Sequence, residues 1–109
     1  MENPGIPEWI TMSEIDISLE ETETRGRYEA RVPGHDETGE LTFSRLGPEK
    51  VIADHTGVPD SLRGTGVGLA LVERLVRDAR EKGFRIVPLC PFVRAMSEKH
   101  PEWADLFTS

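Results

Sequence analysis

Apolar and polar residues alternate along the first half of the chain, and this pattern predicts β-strands. In residues 14–20, Ile15, Ile17 and Leu19 are separated by polar residues, which is the period of a strand with one buried face. The alternation recurs and predicts three more strands, around Tyr28, Ala30 and Val32, around Leu41 and Phe43, and from Val51 to Val58. The short connections between these strands favour antiparallel neighbours.

The fourth predicted strand carries a residue that could do chemistry, His55. Strict alternation places Val51, Ala53 and His55 on one face of this strand. It places Thr56 on the other face, together with the residues that lie between those three. We therefore expect His55 to share a face with Val51 and Ala53.

The period of the apolar positions changes after residue 65, and a helix is predicted from Gly66 to Lys82. Its apolar stripe consists of residues three or four apart, namely Leu69, Val72, Val76 and Ala79, widened by Leu71 and Leu75. Asp78 and Lys82 are spaced for a favourable ion pair on the solvent side. Gly83 is a C-terminal stop for the helix.

A short strand and a second helix are predicted after this glycine. Residues 84–89 are mostly apolar and form a strand parallel to the fourth one, because a helix connects the two in a right-handed crossover. Pro91 suits the first position of a helix. That helix is expected to carry Phe92, Ala95 and Met96 inward and to end near residue 100.

The predicted fold class is α/β, of the mixed α+β kind. It consists of a mainly antiparallel twisted sheet with one parallel βαβ crossover. The chain length of 109 residues suits one domain, which we assign to residues 14–109. Residues 1–13, rich in proline and polar residues, are expected to form an N-terminal arm or tail.

Composition excludes several classes of protein. The net charge of −7 argues against nucleic acid as a partner. The chain contains neither an apolar run of about 18 residues nor a basic start followed by an apolar segment, so no membrane span and no secretory signal are expected. Cys90 is the single cysteine, which favours a cytoplasmic protein without disulfides. His35 and His100 lack metal-ligand spacing, so no metal site is expected.

Charge is distributed unevenly between the two halves of the chain. Residues 1–60 contain 14 acidic and 5 basic residues, whereas residues 61–109 contain 6 acidic and 8 basic ones. An anionic ligand is therefore expected in the second half. The acidic first half either suits a cationic substrate or forms a solvated surface.

One glycine-rich loop lies between a predicted strand and a predicted helix, Arg63-Gly64-Thr65-Gly66-Val67-Gly68. Alternate glycines let the backbone approach a ligand and turn its N–H groups outward, and the helix N-terminus adds positive partial charge. The loop is therefore interpreted as a phosphate cradle, with a tight packing turn as the alternative. The dinucleotide fingerprint fails because its last glycine position is occupied by Leu69 or Leu71, and no Gly-Lys-Ser/Thr follows for a P-loop.

A second candidate for chemistry is Cys90, which ends the predicted strand 84–89 and precedes Pro91. At such an N-cap position the helix dipole favours a thiolate; an inert core cysteine is the alternative. The glycine loop and Cys90 both follow the carboxyl ends of parallel strands, so they meet at one edge of the sheet. His55 lies near the end of the first of these strands, and a base near a thiol is a nucleophile arrangement.

The glycine loop matches the acetyl-CoA signature [Arg/Gln]-x-x-Gly-x-[Gly/Ala] of the GNAT superfamily of N-acetyltransferases. Over roughly residues 14–107 the chain resembles a subfamily of small GNAT-like proteins. Besides the loop, the resemblance rests on His55-Thr56-Gly57-Val58-Pro59, on Pro88-Leu89-Cys90-Pro91-Phe92-Val93 and on His100-Pro101-Glu102-Trp103.

This resemblance implies a sheet that splays where two parallel strands separate to admit acetyl-CoA, the cosubstrate. It implies that the loop N–H groups hold the pyrophosphate, and that the cysteine equivalent to Cys90 lies near the acetyl group. The cofactor-binding residues that it implies are Val58, Arg63, Gly64, Thr65, Gly66, Val67 and Gly68.

The implied activity is transfer of an acetyl group from acetyl-CoA to an unidentified amine. Cys90 and His55 are the catalytic candidates: either Cys90 accepts the acetyl group, or it protonates the departing CoA thiolate while His55 or water deprotonates the amine. The chain departs from the family pattern because its only tyrosine, Tyr28, lies in the second strand instead of on the helix where many GNAT enzymes place a general acid. A CoA-binding sensor or interaction module without efficient transfer is therefore the alternative, and an interaction domain with a purely structural glycine loop is a third possibility.

Overall fold

The computed structural model describes residues 15–108, so the predicted N-terminal arm, residues 1–13, lies outside the described residues. Within them the chain forms five strands and two helices, in the order β1 (Asp16–Glu21), β2 (Arg25–Arg31), β3 (Thr38–Arg45), β4 (Lys50–Gly57), α1 (Val67–Lys82), β5 (Arg85–Pro88) and α2 (Pro91–Lys99). A short 3-10 helix precedes α1 at Asp60–Leu62, and a 3-10 segment follows α2 at Pro101–Leu106.

The strands form a single sheet in the order β1-β2-β3-β4-β5. Neighbours from β1 to β4 are antiparallel, because their short connections allow only hairpins. β5 returns parallel to β4 after α1. The predicted fold class, a mainly antiparallel sheet with one parallel crossover, is therefore confirmed.

β4 contains a bulge at Asp54. Thr42 of β3 pairs with His55, but the next residue of β3, Phe43, pairs with Ala53. Asp54 is therefore an extra residue in the ladder, and its carboxylate accepts a hydrogen bond from Ser44 at 2.7 Å. Each side chain of β4 that follows the extra residue therefore lies on the opposite face from the one that strict alternation predicts.

The core lies between one face of the sheet and the helices. α1 packs against β2 and β3, and α2 packs against β4 and β5. The largest fully buried side chains come from both layers, among them Tyr28, Phe43, Leu71 and Ile86. The helical period predicted for α1 is confirmed, because six apolar side chains along the helix are buried between residues 70 and 79, namely Ala70, Leu71, Val72, Leu75, Val76 and Ala79.

Among residues 15–108, one charged side chain is buried in the core, Asp78 of α1, with 4% of its surface exposed. The predicted ion pair with Lys82 on the solvent side was wrong, because Asp78 faces the sheet. There it accepts a hydrogen bond from the hydroxyl of Tyr28 at 2.7 Å, and it forms a salt bridge with Arg74 at 3.3 Å. A carboxylate can be buried at this position because two donors meet it.

Tyr28 is the only tyrosine of the chain, so its ionisation can be followed without interference from another phenol. Burial, and next the hydrogen bond to Asp78, raise the pKa of Tyr28 far above its ordinary value of 10.0. The folded protein holds the phenol proton at a pH where the unfolded chain releases it. The free energy of unfolding is therefore expected to fall as the pH rises above about 10.

The measurement is tyrosinate absorbance, recorded with circular dichroism during an alkaline titration. We expect the two signals to change together, and we expect Tyr28→Phe to lose less stability over the same pH range. Tyrosinate that forms near the ordinary pKa while the fold stays intact would contradict this account.

The second helix has the predicted bounds, Pro91–Lys99, but it is turned differently from what its apolar residues predict. Val93 is its buried residue, whereas Phe92 is 38% exposed and Ala95 is exposed. Carrying Phe92 and Ala95 inward was therefore a wrong prediction; Met96 is half-buried and packs against the core. The reason is that α1 and α2 approach closely at Gly68. A side chain there would meet the Phe92 ring at 2.8 Å, so the ring occupies the place of a side chain on α1.

The face of the sheet away from the helices is polar. On β2, β3 and β4 the side chains of this outer face are all at least partly exposed. Arg27 lies near the middle and donates a hydrogen bond from Nε to Glu40 at 2.8 Å. Its guanidinium also lies within 4 Å of carboxylate oxygens of Glu20 and Glu29. Three carboxylates thus surround one cation.

Candidate functional site

The two parallel strands are paired over only half of β4. The ladder joins residues 50–53 to residues 85–88. At its end the N–H of Cys90 donates to the carbonyl of Ala53 at 2.9 Å. α2 begins at the next residue, so β5 does not continue beside the rest of β4. The backbone of β4 from Asp54 to Gly57 therefore has an edge without a β5 partner.

The glycine loop, residues 63–68, leads directly into α1. Gly64 and Gly66 have φ angles of 82° and 87°, in the left-handed region that favours glycine. α1 starts after Gly66, and within residues 15–108 no side chain caps it and no acidic residue stands in its first turn. The N–H groups of residues 66–69 have no partner inside the helix. Together with the helix dipole they suit an anionic group such as a phosphate.

A cavity of about 560 Å³ joins this loop to the open edge of β4. Its polar end consists of the loop and the N-terminus of α1, and its other walls are mostly apolar. The lining residues are Thr56, Val58, Leu62, Arg63, Gly64, Gly66, Val67, Gly68, Leu69, Phe92 and Met96. A wider hollow of about 720 Å³ lies beside Leu46, Gly83 and Arg85, at the opposite end of the β4–β5 ladder.

Six of the seven predicted cofactor-binding residues line this cavity, and Thr65 is the exception. The hydroxyl of Thr65 donates to the carbonyl of Leu62, so this side chain holds the loop together. Arg63 is exposed at the mouth, where its Nε lies 2.9 Å from a carboxylate oxygen of Asp60. A cation on a flexible side chain beside free N–H groups adds to the preference for an anion.

Cys90 is the N-cap of α2 and is 4% exposed. Its thiol donates to Oγ1 of Thr56 at 3.4 Å, and Thr56 lines the cavity. The sequence predicted that Cys90 and the glycine loop share one edge of the sheet. The structure places them on two sides of the same opening, with Thr56 between the thiol and the cavity.

The structure does not bring His55 to the thiol. The prediction that Val51, Ala53 and His55 share a face was wrong, because the bulge at Asp54 turns His55 to the outer face, opposite Thr42. Its imidazole is exposed and lies over Gly57. The same bulge turns Thr56 to the helix-covered face, where it meets Cys90.

Sequence reasoning missed several residues of the cavity. Strict alternation predicts Thr56 on the outer face, and the apolar stripe of the second helix predicts Phe92 in the core. Leu62, Leu69 and Met96 complete the apolar wall. Gly68, the third glycine of the loop, could have indicated the position of Phe92. It lies inside α1 and forms no turn, so a glycine there indicates that another helix approaches closely.

Residues 15–108 contain neither a membrane-spanning helix nor a cluster of metal ligands. Neither helix of this part of the chain combines the length and apolar character that crossing a bilayer demands. In the same part of the chain, His, Cys, Asp and Glu side chains do not gather in groups of three that could hold a metal ion.

Comparisons with known proteins agree with this geometry. A family model described as GCN5-related N-acetyl-transferase matches residues 27–106. Protein NATD1 of Bos taurus is 25% identical over 99 residues, which are 91% of this chain and 84% of NATD1. The NMR solution structure of a GCN5-like protein from Staphylococcus aureus has a TM-score of 0.66 and 30% sequence identity, covering 90% of this chain and 92% of the other. The family match includes the glycine loop, both parallel strands and Cys90.

Proposed function

The chain belongs to the GCN5-related N-acetyltransferase family, and from this premise we propose that it transfers the acetyl group of acetyl-CoA to an amine. The observation that carries the proposal is the cavity of about 560 Å³ that runs from the uncapped N-terminus of α1 to the open edge of β4. One end suits a pyrophosphate and the other reaches the neighbourhood of Cys90. A single thiol that has to stay free suits a reducing, cytoplasmic compartment.

Binding is assigned to the loop and the apolar wall. The N–H groups of Gly64 and of residues 66–69 would hold the pyrophosphate, with Arg63 at the mouth. Thr65 would keep the loop in shape, since both its N–H and its hydroxyl donate to the carbonyl of Leu62. Val58 and Met96 would contact the apolar part of the cofactor, since both line the cavity. The unpaired edge of β4 offers backbone groups to an extended ligand.

Bound acetyl-CoA supplies an acetyl thioester, so that a carbon–nitrogen bond forms to the amine as the carbon–sulfur bond breaks. The proton lost by the amine balances the proton gained by the CoA thiolate. Cys90 has two roles open to it in this exchange: its thiol either accepts the acetyl group first, or protonates the departing thiolate. His55, on the outer face, or a water molecule would take the amine proton.

The test is an acetyl-transfer assay with acetyl-CoA and a panel of amines, read as released CoA thiol and as acetylated amine by mass spectrometry. We expect both products in equal amounts with at least one amine. Acetyl-CoA binding without transfer to any amine would contradict the proposal and indicate a CoA-binding sensor or interaction module.

A further inference from the structure

The side chain of Thr56 separates the thiol of Cys90 from the cavity at the open edge of β4. Thr56 lines this cavity and Cys90 does not; the cysteine is only 4% exposed. The thiol donates to Oγ1 of Thr56 at 3.4 Å. A ligand in the cavity therefore contacts the threonine before it can reach the sulfur.

Backbone contacts fix both residues in this arrangement. The N–H of Cys90 donates to the carbonyl of Ala53 at 2.9 Å, and the carbonyl of Cys90 accepts from the N–H of Arg94 at 2.9 Å. Thr56 pairs with Leu41 in the ladder between β3 and β4, and its branched β-carbon restricts rotation about χ1. The thiol is therefore held beside a side chain that does not readily turn away from it.

The hydroxyl of Thr56 can accept one proton while it donates another. Within residues 15–108, the contact with Cys90 is the one hydrogen bond that this hydroxyl makes, so its own hydrogen is free to point into the cavity. The sulfur, Oγ1 and a group in the cavity can then form a chain of two hydrogen bonds. Such a chain moves a proton from the buried thiol to the cavity without exposing the sulfur.

The place of Cys90 in the fold suits the charge that this transfer leaves behind. Cys90 is the N-cap of α2, and within the described residues no side chain donates or accepts a capping hydrogen bond at this helix end. A negative charge on Sγ would lie at the end of α2 where the helix dipole stabilises anions. The hydroxyl of Thr56 could then donate its hydrogen back to the sulfur.

We propose that Thr56 is a catalytic residue, which carries the thiol proton of Cys90 to the departing CoA thiolate. This inference rests on the proposed function and selects proton donation from the two roles open to Cys90. Thr56 gives its hydroxyl proton to the CoA sulfur, which holds the electron pair of the broken carbon–sulfur bond, and Oγ1 takes the thiol proton in exchange. Thr56 ends as a hydroxyl and Cys90 as a thiolate. A proton from solvent, which receives the one lost by the amine, restores the thiol.

The first test measures how Thr56 covers the thiol and needs no acetyl transfer. Cys90 is the only cysteine, so labelling with iodoacetamide, followed by intact-protein mass spectrometry, reports on this sulfur alone. We expect Thr56→Ala to be labelled about tenfold faster than wild type or more, because reactivity follows exposure of the sulfur. We also expect CoA to slow the labelling of this variant.

The matched control for labelling is Thr38→Ala. Thr38 is also a threonine of a strand, and its hydroxyl donates to Glu29 at 3.3 Å on the outer face of the sheet. This variant is expected to be labelled at the rate of wild type. Wild type labelled as fast as Thr56→Ala would overturn the proposal, because the sulfur would then be open to the cavity without the threonine.

The second test separates the hydroxyl of Thr56 from the shape of the side chain. Thr56→Val replaces the hydroxyl by a methyl group, and Thr56→Ser keeps the hydroxyl. We expect Thr56→Val to lower kcat about 100-fold, as Cys90→Ala does, and Thr56→Ser to stay within about threefold of wild type. The Kd for acetyl-CoA should change less than about threefold in both variants, because they leave the phosphate end of the cavity intact.

A double variant tests whether the two residues act as one chain. Thr56→Val combined with Cys90→Ala should be no slower than either single variant, because the first substitution already breaks the chain. Independent contributions would instead multiply to a loss of about 10⁴-fold. A multiplied loss would overturn the proposal, and so would an acetyl group on Cys90 of wild type after incubation with acetyl-CoA and no amine.

The wild-type protein distinguishes failure of this inference from failure of the proposed function. If wild type transfers the acetyl group to none of the amines, the proposed function is refuted, and the role of Thr56 with it. If wild type transfers the acetyl group and Thr56→Val does so at the same rate, only the role of Thr56 is refuted.

Discussion

Replacing Asp78 by alanine is expected to lower the free energy of unfolding by about 3 kcal/mol. The substitution removes the acceptor of the Tyr28 hydroxyl, which donates at 2.7 Å, from a core where Tyr28 is only 1% exposed. It also leaves the guanidinium of Arg74 without its carboxylate, against the carbonyl of Ile17 and the ring of Tyr28. In a domain of this size the midpoint of thermal unfolding should fall by about 10 °C or more.

The control for this prediction is Asp105→Ala. Asp105 forms a salt bridge with Arg80 at 3.2 Å, and its side chain is 65% exposed. The same change of charge there is expected to lower stability by less than about 1 kcal/mol. Tyr28→Phe in the Asp78→Ala background should recover part of the loss, because it removes the orphaned donor. If the two aspartate variants unfold at the same temperature, Asp78 does not have the role assigned to it.

Replacing Cys90 by alanine is expected to lower the rate of acetyl transfer by about 100-fold, the usual contribution of one acid–base or nucleophilic group. The Kd for acetyl-CoA should change little, because the loop that we propose to hold the pyrophosphate is on the other side of the cavity from Cys90. The buried thiol contacts Thr56 at 3.4 Å, so a small side chain can replace it without opening the core. Thermal unfolding of the alanine variant checks that its stability is unchanged.

Cys90→Ser and intact-protein mass spectrometry separate the two routes open to the thiol. Because Cys90 is the only cysteine, an acetyl group on wild type that is absent from the alanine variant, after incubation without an amine, would assign the acceptor route. Loss of turnover without such an adduct would assign proton donation. Near-normal turnover in both the alanine and the serine variants would remove Cys90 from the mechanism.

The sheet, the crossover and the glycine loop could be predicted because their signals are local in the sequence. A period of two places Leu41 and Phe43 on one face of a strand. A period near 3.6 places the apolar stripe of α1 on one face of a helix. Three alternate glycines indicate a loop independently of the surrounding structure. Each of these depends on neighbours a few residues away. Tertiary contacts therefore had little opportunity to override them.

The side chains of the site were less predictable because they depend on contacts distant in the sequence. One bulge at Asp54 exchanges the faces of His55 and Thr56, and no spacing rule reveals a bulge. Asp78 followed the pattern of a surface ion pair, yet its partner Tyr28 lies 50 residues earlier in the chain. The pairing of Glu40 with Gly57 exists only once β3 and β4 are in register.

The most direct test of the central claim is to titrate isotope-labelled protein with acetyl-CoA, CoA and NAD and to map the N–H resonances that shift. We expect acetyl-CoA and CoA to produce saturable shifts at Val58, at Gly64 and across residues 66–69, and NAD to produce none there. Loop resonances that stay unchanged at millimolar acetyl-CoA would contradict the account, and the glycine loop would then be a packing turn.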